Sequence, residues 1–178
     1  WAEAIKHGLI LDPALLNDFE RQSEALSDLG SPEATDIIRR SVAIKAKIVS
    51  ADEYERGDTR ILLNYGHTIG HAIEAVTEFG EYLHGEAVAI GMMGAATIGT
   101  RLGMIDEELV DRQRRVFTQF GLPLAAPGLD ADAIVAATKA DKKSRGGAIR
   151  WVMLEDPGRA TTRQDVPDEL VADVVREL

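Results

Sequence analysis

Histidines are the residues of this chain best suited to metal or proton chemistry, and the sequence has only four of them: His7, His67, His71 and His84. The segment NYGHTIGH places His67 and His71 four positions apart. On a helix, residues at this spacing project from one face with their Cβ atoms about 5–6 Å apart. Two imidazoles so placed can bind one zinc ion, although a pair of this kind on a helix also occurs through packing or surface exposure.

A catalytic zinc site needs a third protein ligand and an open position. His84, in YLHGEA, lies at the predicted start of the following helix, and a short turn can bring it to His67. Glu3, in WAEAIK, is a candidate carboxylate ligand, and Lys6 shares its helix face. Thr68 occupies the position at which HExxH zinc hydrolases carry their glutamate base, which argues against a hydrolase.

The composition is that of an ordinary globular protein with an acidic surface. The net charge is -10 and the sequence has no cysteine, which excludes disulfides, thiolate zinc sites and a cysteine nucleophile. The charge also argues against general binding of nucleic acid or anionic membranes. An anionic ligand would therefore need a local cluster of lysine and arginine. With no apolar run of membrane-spanning length and no signal segment, we expect a cytoplasmic protein.

Helix signals dominate the chain. Asp12–Pro13 and Ser31–Pro32 read as an N-cap followed by proline at the first helical position. A hairpin is predicted from AIRWVMLE, a DPG turn and RATTRQDV. The predicted helices cover the opening WAEAIKHG segment and residues 12–26, 31–49, 60–79, 84–102, 106–120, 130–140 and 167–178. The chain is thus expected to form one domain over residues 1–178, mostly helical, with a small hairpin near its end.

Glycines recur in the two central predicted helices, at Gly66, Gly70, Gly91 and Gly94. Each costs about 1 kcal/mol relative to alanine inside a helix, so a compensating reason is required. Close approach of the two helices is one reason, and room for a ligand is the other. The segment AVAIGMMGAATIG is small and apolar on nearly all sides, which favours a central, surrounded helix.

Taken together, the motifs are more specific than any one of them. In order, they are AEAIKHGLI, KAKIVSADEYE, LNYGHTIGHAIEAV, YLHGEAVAIGMM and DKK. This series resembles the C-terminal half of the 3-dehydroquinate synthases, and the resemblance covers nearly the whole chain. The valiolone and inosose synthases, which are related sugar-phosphate cyclases, share the framework. The resemblance implies a mainly α, multi-helix fold.

The resemblance also implies roles for individual residues. It implies that Glu3, His67 and His84 bind zinc or cobalt, and that His71 and Glu55 take part in proton transfer. Glu55 fits the family spacing when counted from Lys45 but not from Arg60, because the intervening segment is one residue longer than usual. The implied substrate contacts are Lys6, Lys45, Arg60, Asn64, His67, His71, His84 and one or both of Lys142 and Lys143. His7 stands where the family often has tyrosine and receives no role.

The implied reaction converts 3-deoxy-D-arabino-heptulosonate 7-phosphate to 3-dehydroquinate and phosphate, a step of the shikimate pathway that uses NAD. No glycine-rich dinucleotide fingerprint follows a strand in this sequence. We therefore expect NAD to be bound mainly by an N-terminal domain outside this chain, and the isolated chain to be inactive. A homodimer is a further family expectation.

Three alternatives stay open on the sequence alone. A related cyclase of the valiolone or inosose type would share the same framework. A metal-dependent polyol or alcohol dehydrogenase of the iron-dependent group would use one aspartate and three histidines, which fits these residues less well. A purely structural helical module would make the histidines incidental.

Overall fold

The computed structural model describes residues 1–53, 59–144 and 149–178, and within residues 141–144 it describes the backbone alone. This part of the chain forms α-helices, one 3-10 turn and one β-hairpin. In chain order the elements are α1 (Ala2–Ile10), α2 (Pro13–Arg21), α3 (Ser23–Leu26), α4 (Pro32–Ala51), the 3-10 turn (Arg60–Asn64), α5 (His67–Val76), α6 (His84–Arg101), α7 (Glu107–Gln119), α8 (Ala131–Ser144), β1 (Trp151–Asp156), β2 (Arg159–Arg163) and α9 (Asp168–Glu177). The predicted mainly helical fold with a C-terminal hairpin is confirmed.

Helix starts follow the predicted capping chemistry. The Asp12 carboxylate accepts a hydrogen bond from the Leu15 N–H at 3.1 Å, and the Ser31 hydroxyl accepts one from the Ala34 N–H at 3.0 Å. Each bond satisfies an N–H that the first helical turn leaves without a backbone partner. The single helix predicted over residues 12–26 is wrong, because Gln22 leaves the helical conformation and separates α2 from α3.

The single helix predicted over residues 60–79 is also wrong. The chain runs through a 3-10 turn and then passes Gly66, whose φ of +79° suits glycine, before α5 begins at His67. The helix ends at Val76, ahead of the predicted stop at Gly80, and Glu78 and Phe79 follow with positive φ. The break at Gly66 therefore makes His67 the first residue of its helix.

Close packing of α5 on α6 explains the central glycines. A Cβ on Gly91 would lie 2.0 Å from the Gly66 carbonyl oxygen, and one on Gly66 would lie 2.4 Å from the Met92 side chain. A Cβ on Gly70 would lie 3.1 Å from the Ala87 carbonyl oxygen. Of the two reasons that the sequence left open, close approach of the helices is the one that holds at these glycines.

Helix α6 runs through the middle of the core, as predicted. It packs against α1, α5, α7, α9 and β1. The residues along its length are almost all buried, and hydrophobic clusters lie on both of its sides. Helix α7 is amphipathic, and Leu109, Val110, Val116 and Phe117 form its buried side. Its first residue, Glu107, follows the Asp106 cap.

The hairpin and the C-terminal helices close the fold. Strands β1 and β2 pair antiparallel through a Pro157–Gly158 turn, and the Gly158 N–H donates to the Leu9 carbonyl of α1 at 2.8 Å. Helix α8 extends four residues beyond its predicted end, and α9 begins at Asp168, with Pro167 as its N-cap. Among the described residues, no helix combines the length and the apolar character that crossing a membrane requires.

Candidate metal centre and adjoining cavity

Helix α1 carries the carboxylate of the candidate metal centre. Glu3 lies in its first turn and Lys6 one turn later, and the Lys6 ammonium donates to both Glu3 oxygens, at 2.8 and 2.9 Å. The predicted shared helix face is thus confirmed. Lys6 is only 1% exposed, so its charge requires this partner inside the protein.

The Glu3–Lys6 pair sets the charge state of the site. Burial acts to raise the pKa of the Glu3 carboxyl, but the charge and hydrogen bonds of Lys6 outweigh it and the pKa is lowered. Burial also lowers the pKa of the Lys6 ammonium, against the raising effect of Glu3. The carboxylate is therefore ionised at neutral pH, which is the form that binds a metal ion.

His67 presents one ring nitrogen towards Glu3. Its Nδ1–H donates to the backbone carbonyl of Tyr65 at 3.1 Å, and its Nε2 lies 3.5 Å from Glu3 Oε1. Tyr65 is itself fixed, because its buried hydroxyl donates to the Gln113 side chain at 2.9 Å. Burial, together with the charge of Lys6, lowers the pKa of His67 to about 4, so the imidazole is neutral and Nε2 carries a free lone pair.

His84 is oriented by a buried carboxylate that the sequence reasoning missed. Its Nδ1 lies 2.9 Å from Oε1 of Glu74, a residue of α5 that is 7% exposed. A carboxylate behind an imidazole fixes the tautomer that leaves Nε2 for a metal ion. The signal was present in the sequence, since Glu74 follows His67 by seven residues and His71 by three, on the same face of α5.

One ligand atom from each of Glu3, His67 and His84 lies within 4.8 Å of the other two. A carboxylate and two imidazoles are a known protein donor set for catalytic zinc. The hydrogen bonds to Tyr65 and Glu74 supply the outer support that such ligands usually have. The residues present therefore fit a divalent metal ion with an open coordination position.

His71, Glu74 and His84 form a second group whose ligand atoms meet the same distance limit. The two groups share His84. In the second group, the Glu74 carboxylate, which pairs with His84 Nδ1 at 2.9 Å, would be a metal ligand and no longer an outer support. The first group keeps that bond as outer support, and for this reason we take Glu3, His67 and His84 as the candidate centre.

Of the two histidines of HTIGH, His67 belongs to the candidate metal centre and His71 lies at its exposed edge. The ring centroids of His67 and His71 are 5.2 Å apart, as the spacing predicts. Those of His67 and His84 are 5.5 Å apart, so the short turn does bring α6 to His67. His71 is solvent-exposed, with its ring stacked on His84 at 6.1 Å. The His71 ring is therefore accessible to solvent and to a molecule bound at the centre.

A cavity of about 250 Å³ adjoins the candidate centre. Its walls contain the cations Lys6, Lys45 and Arg60 together with Asn64 and His7. The full lining is Glu3, Lys6, His7, Lys45, Val49, Arg60, Leu63, Asn64 and His67. The chain thus places local positive charge beside the metal ligands in spite of its net charge of -10.

A larger cavity, of about 500 Å³, lies between α7 and the hairpin turn. None of the described residues that line it is a histidine or lysine, and its arginine, Arg112, is paired with Glu20 at 2.7 Å. Size alone would therefore identify a different site from the one that the side-chain chemistry identifies.

Three candidate residues cannot be placed in this geometry. Glu55 lies outside the described residues. Lys142 and Lys143 belong to α8, which packs on α5, but their side chains also lie outside the described part of the chain. Their assignments stay predictions.

Comparison with known proteins identifies sequence relatives along the whole chain. The family described as 3-dehydroquinate synthase C-terminal matches residues 1–144. The 3-dehydroquinate synthase of Nitrosospira multiformis is 47% identical over 176 residues, which are 99% of this chain and 48% of that protein. The enzyme of Synechococcus sp. is 40% identical over 179 residues, again 99% of this chain and 48% of the relative. The chain thus spans about half the length of these curated relatives.

Solved structures of sugar-phosphate cyclases share the fold. A 2-epi-5-epi-valiolone synthase from Streptomyces hygroscopicus, with NAD+ and Zn2+ bound, has a TM-score of 0.89 and 25% identity. The match covers 99% of this chain and 49% of that one. A 2-deoxy-scyllo-inosose synthase, complexed with carbaglucose-6-phosphate, NAD+ and Co2+, has a TM-score of 0.80 and 29% identity, covering 99% and 50%.

Proposed function

This chain belongs to the 3-dehydroquinate synthase family, whose C-terminal part matches residues 1–144, and we propose that it is the metal- and substrate-binding part of a 3-dehydroquinate synthase. One observation carries the proposal. Glu3, His67 and His84 converge beside a cavity lined by Lys6 and further cations.

The proposed substrate is 3-deoxy-D-arabino-heptulosonate 7-phosphate, which carries a carboxylate and a phosphate. Lys6, Lys45 and Arg60 supply the positive charge that two anionic groups require. The Asn64 amide adds both a hydrogen-bond donor and an acceptor on the same wall. These side chains hold the substrate against the metal ligands, and such positioning supplies a large part of catalysis.

Glu3, His67 and His84 would hold the metal ion, which would supply Lewis acidity to the hydroxyl oxygens of the substrate. NAD, bound elsewhere in the full-length protein, would supply reversible hydride chemistry. Lys6 keeps the Glu3 carboxylate ionised and so ready to bind the metal ion. We assign proton transfer to His71, whose exposed ring lies beside those of His67 and His84. Glu55 is the proposed partner of His71 in that transfer, on the family resemblance alone.

The proposed NAD site lies in a separate N-terminal domain. The curated relatives are about twice as long as this chain. The sheet in the described residues is a single two-stranded hairpin, which cannot form a βαβ nucleotide-binding unit. A homodimeric assembly and a cytoplasmic location stay predictions.

Two enzyme classes compete with this proposal. The valiolone and inosose synthases share the fold, but the curated relatives that match at 40–47% identity are 3-dehydroquinate synthases. A dehydrogenase of the iron-dependent group would need an aspartate and three histidines, whereas here a glutamate and two histidines converge. Both observations favour the 3-dehydroquinate synthase.

Phosphate release tests the function directly. The full-length protein carrying this chain, given the heptulosonate phosphate, NAD and zinc, should release phosphate and form dehydroquinate in equal amounts. The isolated chain under the same conditions should release none, because its described residues contain no βαβ unit that could bind NAD. Release at the full rate by the isolated chain would contradict that dependence. Failure of the full-length protein to consume this substrate would contradict the function itself.

A further inference from the structure

His7 is a buried polar residue of the cavity wall to which the proposed reaction gives no role. It follows Lys6 on α1 and is 2% exposed. Its Nδ1 lies 2.8 Å from the Ser41 hydroxyl on α4. Its Nε2 is buried and has no hydrogen-bond partner among the described residues. Such an unpaired atom costs free energy, so its presence calls for an explanation.

The imidazole lies among the charged groups that line the cavity. The charges of Lys6, Lys45 and Glu3 all act on it, and burial together with the two lysines lowers the pKa of His7 to about 4. At neutral pH the ring is therefore uncharged, with one N–H and one lone pair. Ser41 can donate its hydroxyl proton to Nδ1, and this places the ring N–H on Nε2.

An N–H beside two lysines is suited to an anionic oxygen. Building on the proposed function, we propose that His7 is a substrate-positioning residue whose Nε2–H donates to a carboxylate or phosphate oxygen of the bound substrate, while Ser41 fixes the ring. Nε2 is covered in the free protein, so the wall of the polar cavity that His7 lines must open slightly for the substrate oxygen to reach it.

Three variants of the full-length protein separate this role from simple packing. His7→Gln places an amide nitrogen near the position of Nε2, and His7→Asn places its polar group near Nδ1, within reach of Ser41. His7→Phe keeps the ring and removes both nitrogens. The Kd for the heptulosonate phosphate, measured by calorimetry in the zinc-loaded protein, should rise roughly tenfold or more in Asn and Phe. In Gln it should stay within about threefold of the wild type.

Zinc content and the KM for NAD should be unchanged in all three variants, since His7 is not a metal ligand. Equal Kd values in Asn and Gln would overturn the inference, and so would variants with a lower Tm but an unaltered Kd. Measurement of Kd does not require turnover. If the wild-type protein binds the heptulosonate phosphate but releases no phosphate, the proposed function is refuted, and the Kd values of the His7 variants still test the role of His7. A wild type that binds no heptulosonate phosphate would refute both.

Discussion

Hydrogen bonds on the far side of each imidazole decide which nitrogen faces the candidate metal centre. Nδ1 of His67 forms a hydrogen bond with the Tyr65 carbonyl, and Nδ1 of His84 forms one with the Glu74 carboxylate. Each ring is left with Nε2 as its ligand atom. Since the rings are oriented before an ion arrives, little ordering remains to be done on binding, and this favours tight metal affinity.

The different roles proposed for His67 and His71 can be tested with a pair of variants. His67→Ala removes a proposed ligand, so zinc content after dialysis should fall from one equivalent to nearly none. The matched variant His71→Ala should keep its zinc but lose most of the phosphate release of the full-length protein, because it removes the proposed proton carrier. Full zinc and full activity in His67→Ala would contradict the ligand assignment.

The lowered histidine pKa values predict that acid destabilises the metal-free protein. His7 and His67 have pKa values near 4 when folded, against 6.5 ordinarily, so the unfolded chain binds more protons between those values. Acid therefore favours unfolding. Each histidine should cost roughly 1–2 kcal/mol of unfolding free energy between pH 7 and pH 5.

Urea unfolding at the two pH values measures this loss. The variant His7→Gln removes one of the two titrating groups, so the difference between pH 7 and pH 5 should shrink by roughly half. A pH dependence that is identical in wild type and variant would show that His7 does not contribute.

At the residue scale, the sequence predicts some contacts better than others. Helical spacing correctly pairs Glu3 with Lys6 and His67 with His71, because both pairs are local. The convergence of Glu3 on His67 joins helices that are distant in the chain. Residue type made Glu3 a candidate ligand, and the family resemblance implied the full set of Glu3, His67 and His84. The partners of Glu74 and Tyr65 depend on tertiary packing, which periodicity does not describe.

At the scale of elements, the contact between α5 and α6 sets the geometry of the site. Gly66 and Gly91 let the two backbones approach closely, so that the start of α5 lies against the middle of α6 and the His67 ring comes within 5.5 Å of the His84 ring. The sequence showed the glycines but placed Gly66 inside a helix. Gly66 has a positive φ and packs against Val88 and Met92 of α6, and a local pattern could not reveal this tertiary contact.

Gly91→Ala tests this contact. The added methyl would meet the Gly66 carbonyl oxygen at 2.0 Å, so α5 must move away from α6. Overpacking of this kind typically costs about 1–3 kcal/mol, and here zinc affinity should fall as well because His67 and His84 separate. Thermal unfolding and zinc competition measure both effects.

Gly80→Ala is the matched control, since its Cβ would meet the nearest atom at 3.6 Å, an ordinary contact. It should leave zinc affinity unchanged and shift stability little. Wild-type affinity in Gly91→Ala would show that the close approach does not position the ligands.

At the scale of the whole molecule, the fold places cationic side chains around one cavity of an acidic protein, where an anion can bind in spite of the negative net charge. The chain carries -10 overall, yet three cationic side chains line the cavity beside the candidate metal ligands. Helix α1 contributes Glu3, Lys6 and His7 to this site, and Leu9 and Ile10 of the same helix are buried in the core. Caps, amphipathic helices and the hairpin were predictable because they are local, whereas this convergence is a property of the assembled core.

The central claim is that Glu3, His67 and His84 bind one divalent metal ion. Zinc-edge X-ray absorption of the zinc-loaded protein, repeated on Glu3→Gln and Glu74→Gln, tests it most directly. The account predicts two imidazole nitrogens and one carboxylate oxygen at about 2.0–2.2 Å, with the carboxylate oxygen lost in Glu3→Gln and retained in Glu74→Gln. A spectrum that changes in Glu74→Gln and not in Glu3→Gln would place the ion in the His71–Glu74–His84 group and contradict the claim.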